Sequence, residues 1–241
     1  MLPDDHRDAR VRLFCFPFAG GGVGAFGKLR QCLSSEVAVV AIELAGRGRL
    51  IRSAPVEDLV EMARAASDAI GPHTDGPYAL LGSSMGAVLA FEVARELRRR
   101  GARGPDRLVV ASAAAPQLAG REPPIHLLSD ADLLHKLREY QGAPEEVLDN
   151  EEMMRLLLPA VRADLKAHRD YVYLPEPPLG CPIAALGGTE DRLVDVDELR
   201  AWERQTAASF QLDLLPEGHF LLDASAPAVA RFVERHVVEG G

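Results

Sequence analysis

One pentapeptide constrains this chain more than any other stretch: Gly82-Ser83-Ser84-Met85-Gly86, which follows the apolar run Tyr78-Ala79-Leu80-Leu81 and leads straight into a helical pattern. Gly-x-Ser-x-Gly in that setting marks a tight strand-to-helix turn that lifts a serine hydroxyl over the edge of a sheet. Glycine is needed on both sides because a Cβ there would crowd the turn, where the serine backbone is strained and strand and helix approach closely. Register selects the serine. Ser84 has Gly82 two before it and Gly86 two after, whereas Ser83 has Leu81 and Met85. Ser84 is therefore the candidate nucleophile.

Around this turn the chain alternates. Apolar, β-forming runs begin at Val11 (VRLFCFPF), Val37 (VAVVAIEL), Leu108 (LVVA), Pro182 (PIAALGG) and Phe210 (FQLDLL). Helical spacing occupies 25–33, 56–70, 85–100, 196–207 and 226–238. Near-continuous apolar strands separated by helices predict an α/β class, with a mostly parallel central sheet covered by helices on both faces. Residues 118–173 break the alternation, with no strand and a charged helical pattern. Ser129-Asp130-Ala131-Asp132 resembles a capping box for DLLHKLREY, and a second helix opens at Glu151. The expected organisation is a core of 1–117 and 174–241 with 118–173 as a helical lid insertion over the sheet.

A serine hydroxyl needs a base to take its proton, and the base needs a partner to fix its tautomer. Of the histidines at 6, 73, 126, 135, 168, 219 and 236, only His219 follows a late strand directly, with Gly218 before it; the others fall in the tail, loops, lid or last helix and are expected to be exposed. For the acid, Gly187-Gly188-Thr189-Glu190-Asp191 leaves a strand; Asp191 sits deeper in the turn, and Glu190 is the alternative. Asp195 and Asp197 read as caps of the next helix. The order Ser84, Asp191, His219 is that of α/β hydrolases. Ala19-Gly20-Gly21-Gly22 after the first strand can turn backbone N–H groups inward, and Ala19 is the residue expected to donate to an oxyanion.

The totals narrow the class. With 241 residues the chain can bury one large core, and a net charge of -9 argues against nucleic-acid binding. No window approaches a membrane span, and MLPDDHRDARVR lacks a signal-peptide core, so a cytoplasmic protein is expected. Cys15, Cys32 and Cys181 are too few and too scattered for a disulfide framework or zinc site and read as buried thiols; no metal is implied. Two basic runs stand out: Arg47, Arg49 and Arg52, and Arg98, Arg99, Arg100 and Arg103, the second suiting a helix C-terminus.

With these pieces placed, the chain resembles the type II (editing) thioesterases of polyketide synthase and nonribosomal peptide synthetase clusters, members of the α/β-hydrolase superfamily. The resemblance rests on FCFPFAGGG, AGRGR, YALLGSSMGAVLAFEVARELRRRG, PPIH, LLLPAVRADLKAHRDY, CPIAALGGTED and PEGHFLL. Two positions depart from the family's habit: Ser83 replaces a histidine and Ala45 a proline, and neither removes a member of the triad. The resemblance implies hydrolysis of acyl groups from the phosphopantetheine arm of an acyl or peptidyl carrier protein, by Ser84, Asp191 and His219, with Ala19 and Met85 N–H groups as the oxyanion hole. It implies no bound cofactor, no membrane partner and a monomer. Because carrier proteins are acidic, Arg47, Arg49 and Arg52 are the expected docking residues. A chain-releasing thioesterase or acyltransferase, a general carboxylesterase and a noncatalytic binding module are the alternatives.

Overall fold

The computed structural model describes residues 9–121, 123–140 and 148–238. Six strands form one sheet: β1 (Val11–Phe16), β2 (Val37–Ala41), β3 (Tyr78–Ser83), β4 (Arg107–Ala111), β5 (Ile183–Gly188) and β6 (Phe210–Leu215). They lie in the order β2-β1-β3-β4-β5-β6, and every neighbouring pair is parallel. The chain steps outward from β1 to β2, then returns past β1 and builds the rest of the sheet in the other direction. Loops leaving the C-terminal ends of strands at such a reversal part to opposite faces and leave a crevice. The glycine loop after β1 and Ser84 after β3 both border it.

The described helices are α1 (Gly27–Cys32), α2 (Leu59–Ile70), α3 (Met85–Arg99), α4 (Asp130–Glu139), α5 (Glu151–Arg169), α6 (Val196–Arg200), α7 (Leu221–Ala224) and α8 (Ala226–Val237). In β1, Phe14 and Phe16 pack toward α2 and α3, while Leu13 and Cys15 pack toward α1 and α8. Side chains of a strand alternate between faces, and here both faces are buried, which is why the strands read as unbroken apolar runs. On α3, Ala87, Ala90, Phe91 and Ala94 are buried, as their spacing requires.

Local chemistry trims the expected helices. The 56–70 helix begins at Leu59, because the Asp58 carboxylate accepts the Glu61 N–H at 2.8 Å and fixes the N-cap. The 196–207 helix tightens after Arg200 into a 3-10 turn at Ala201–Gln205 that buries Trp202. Asp195 is the predicted cap, with Glu198 completing a capping box. The thiols divide: Cys15 is buried and Cys181 half-buried, but Cys32 is exposed, since the last turn of α1 faces water.

Between β4 and β5 the described residues contain no strand; residues 122 and 141–147 of the insertion, and His6 in the N-terminal tail, lie outside the described residues. Ser129 caps α4 and Asn150 caps α5. Leu133, Met154, Leu158 and Val161 form a small core between these helices. The arginines near the end of α3 are engaged rather than free. Arg95, Arg98 and Arg99 all pair with Glu176 of the segment following α5, and Tyr171 donates to Glu92 at 2.7 Å.

Burial opposes the Glu176 charge, yet its hydrogen bonds to Arg98, Arg99 and Arg95 outweigh that cost and hold its carboxyl at about 2 against an ordinary 4.5. A depressed carboxyl pKa contributes stability that is present above the unfolded value and lost as pH falls through the folded one. Acid titration of the unfolding midpoint is therefore expected to show a loss between pH 4.5 and about 2 that Glu176→Gln reduces. The same variant is expected to be less stable than wild type at pH 7.

Candidate active site

Ser84 has φ 54 and ψ −123, a left-handed backbone conformation that side chains rarely adopt. The turn holds it there through the Ser84 N–H, which donates to the Ala111 carbonyl at 2.9 Å. Both flanking glycines are forced. A Cβ on Gly82 would lie 2.1 Å from the Gly86 carbonyl oxygen, and one on Gly86 would lie 2.2 Å from that of Phe16. Close approach of α3 to β1 and β3 thus sets the serine in place.

The three residues expected from the sequence converge although they lie far apart in the chain. His219 Nε2 is 2.9 Å from Ser84 Oγ, and His219 Nδ1 is 2.8 Å from Asp191 Oδ2. The second Asp191 oxygen accepts the N–H groups of Leu193 and Val194 at 2.8 and 3.1 Å, so a fully buried carboxylate has its acceptors satisfied. A carboxylate beside Nδ1 assigns the proton to that nitrogen and leaves the Nε2 lone pair for the serine. Between the two acidic candidates, Asp191 contacts His219, while Glu190 is exposed. Gly188 makes room for the histidine loop, since a Cβ on it would lie 2.0 Å from the Glu217 carbonyl oxygen.

Ser84 and His219 border a cavity of about 430 Å³, walled by Leu137 of α4, by Tyr140 at the end of that helix, and by Leu165 and His168 of α5. A second cavity of about 590 Å³ lies across Phe18, Ala19, Leu137 and Phe220, with Ser83 on its wall. Phe18 and Phe220 pack edge to face at 5.0 Å between the two. Ala19 borders both cavities, and Met85 opens α3, where the first N–H groups have no partner within the helix. The next N–H groups of the glycine loop are taken: Gly20 donates to Asp164 Oδ2 at 2.8 Å and Gly21 to the Phe18 carbonyl at 2.8 Å.

One expected docking residue is misplaced by the sequence reading. Arg47 is buried and forms a two-pronged ion pair with buried Asp164, at 2.6 and 2.8 Å, so it presents no surface to a partner. Arg49 is exposed and pairs with Glu43 at 3.1 Å, and Arg52 is exposed. Asp164 itself was not singled out, although a signal existed. It falls on the apolar stripe of α5 with Leu157, Val161, Leu165 and His168, where an acid must be paired. Exposure was the default for the remaining histidines, but His236 is buried against Phe232 and its pKa is lowered, first by burial and then by Arg107 and Arg235.

Comparison with known proteins agrees with this geometry. The Thioesterase domain family matches residues 11–237. The chain is 37% identical over 225 residues to the gramicidin S biosynthesis protein GrsT of Aneurinibacillus migulanus, covering 93% of this chain and 88% of that protein. The RedJ thioesterase from the prodiginine pathway of Streptomyces coelicolor superposes with a TM-score of 0.83 at 41% identity, covering 92% of this chain and 87% of RedJ. The type II thioesterase BorB from the borrelidin biosynthetic cluster superposes at 0.88 with 36% identity, covering 96% of both chains. A serine, histidine and aspartate in line at the crevice of a parallel sheet, and a family match across nearly the whole chain, place this protein in the thioesterase family.

Proposed function

We propose that this protein is an editing thioesterase that hydrolyses acyl groups from the phosphopantetheine arm of carrier proteins in polyketide or nonribosomal peptide biosynthesis. The observation that carries the reading is the hydrogen-bonded line from Asp191 through His219 to Ser84 Oγ. Support for the substrate class comes from the proteins it resembles, a gramicidin S biosynthesis protein and pathway thioesterases. Cavities on either side of Phe18 and Phe220 give room for a substrate extended in both directions from its reacting carbonyl. Residues 118–173 act as the lid over this space, on a core of 1–117 and 174–241.

In the proposed reaction Ser84 Oγ attacks the thioester carbonyl as its proton passes to His219 Nε2. Asp191 holds the ring and stabilises the imidazolium. Negative charge on the carbonyl oxygen is met by the Ala19 and Met85 N–H groups. Collapse breaks the C–S bond, and His219 returns its proton to the departing pantetheine thiol. Water then attacks the acyl-serine, giving its proton to His219, and the free acid leaves as Ser84 is restored. Arg49 and Arg52 remain as docking residues for an acidic carrier, and the enzyme works as a cytoplasmic monomer. Among the described residues no helix is long and apolar enough to cross a membrane.

Two measurements test this reading. Turnover of one acyl group as carrier thioester, as oxygen ester, and as thioester with an added alcohol separates editing from its rivals. Fast release of free acid from the carrier is expected; preference for the oxygen ester, or transfer to the alcohol, would count against it. The rate is also expected to fall on the acid side, because a protonated Nε2 cannot accept the Ser84 proton. A rate that did not fall in acid would remove His219 as the base.

A further inference from the structure

The glycine loop carrying Ala19 is gripped from outside the sheet. Asp164 Oδ2, on α5, accepts the Gly20 N–H at 2.8 Å and an Arg47 Nη1 hydrogen bond at 2.6 Å. Arg47 Nη1 also donates to the Gly21 carbonyl at 2.8 Å, so the ion pair holds two successive residues of the loop, one by its N–H and one by its C=O. Gly20 has φ +78, and Val161 Cγ2, one turn before Asp164 on α5, sits 2.8 Å from where a Cβ would stand. The same stretch of α5 meets the loop that carries Arg47: Ala160 Cβ lies 3.3 Å from the Cβ position of Gly46, which has φ +82.

Stability does not account for such a pair, because charges taken out of water recover their desolvation cost only in part, and apolar residues of similar volume commonly hold a fold as well or better. What apolar residues cannot do is accept the Gly20 N–H. That bond fixes the peptide plane next to Ala19, and donors aimed at a developing oxyanion act only if their direction is fixed before the reaction.

We propose that Asp164, locked by Arg47, is a positioning residue that orients the Ala19 N–H toward the reacting carbonyl. The proposal rests on the thioesterase reading and on Ala19 as oxyanion donor. Since α5 also brings Leu165 and His168 to the cavity, the wall over the substrate and the loop beneath it are set by one helix.

The test uses the full chain and a small acyl thioester of N-acetylcysteamine, so that carrier docking plays no part. Asp164→Asn retains an oxygen for Gly20, whereas the pair Asp164→Leu with Arg47→Met removes that acceptor without leaving a buried charge. The double variant is expected to remain folded, to lose about 10²-fold in kcat with KM within about twofold, and to bind a trifluoromethyl ketone analogue correspondingly more weakly. Folded Asp164→Asn is expected to keep kcat within about tenfold of wild type. A folded double variant with wild-type kcat would overturn the proposal, as would equal losses in the two variants. If the double variant does not fold, Asp164→Asn decides: a fall in kcat of about 10²-fold with intact fold and unchanged analogue binding contradicts the role. Failure of wild type to hydrolyse the thioester would instead overturn the underlying thioesterase reading.

Discussion

Ser84→Ala is expected to lower thioester hydrolysis by about 10⁶-fold while leaving the fold and substrate binding intact, because the elbow holds its shape through backbone contacts. His219→Ala is expected to cost about as much, and the double variant scarcely more, since nucleophile and base act as one unit. Single-turnover rates on an acyl thioester measure this. Losses that multiplied in the double variant would mean that the 2.9 Å contact between Ser84 Oγ and His219 Nε2 is not used in the reaction.

Gly86→Ala is expected to harm the fold severely. Its added Cβ would lie 2.2 Å from the Phe16 carbonyl oxygen and 2.5 Å from that of Pro17, and neither is the movable tip of a side chain. Backbone of β1, the interior strand beside β3, would have to shift, at a cost of about 3 kcal/mol or more. The movement would carry the loop with Ala19 away from Ser84, so activity would fall even in molecules that fold. Chemical denaturation and active-site titration separate the two effects. An alanine variant as stable as wild type would show that the strand-to-helix turn is not held by close backbone approach.

The parts legible in the sequence were those whose cause is local. Strands buried on both faces read as apolar runs, and α5 and α6 begin where Asn150 and Asp195 supply caps. Ser84, Asp191 and His219 were legible because each follows the end of a strand, and parallel strands bring those ends to one edge of the sheet. Arg47 was misread for the opposite reason. Its partner Asp164 lies 117 residues away, and nothing in AGRGR distinguishes a buried guanidinium from an exposed one until α5 is packed against it. His236 was misread because its exposure depends on which face of α8 meets the sheet, and the ring turns toward Phe232. The thioesterase family expected from the motifs is the family found by comparison.

In the reaction proposed here Ser84 takes the acyl group from a carrier-bound thioester and then releases it to water. This reaction is tested most directly by incubating acyl-phosphopantetheinyl carrier protein with wild type and with Ser84→Ala, quenching at short times, and weighing carrier and enzyme by mass spectrometry. Wild type is expected to strip the acyl group, pass through an adduct on the peptide containing Ser84 and release free acid, while Ser84→Ala leaves the carrier loaded. Deacylation by Ser84→Ala at the wild-type rate, or an adduct on another residue, would contradict the account.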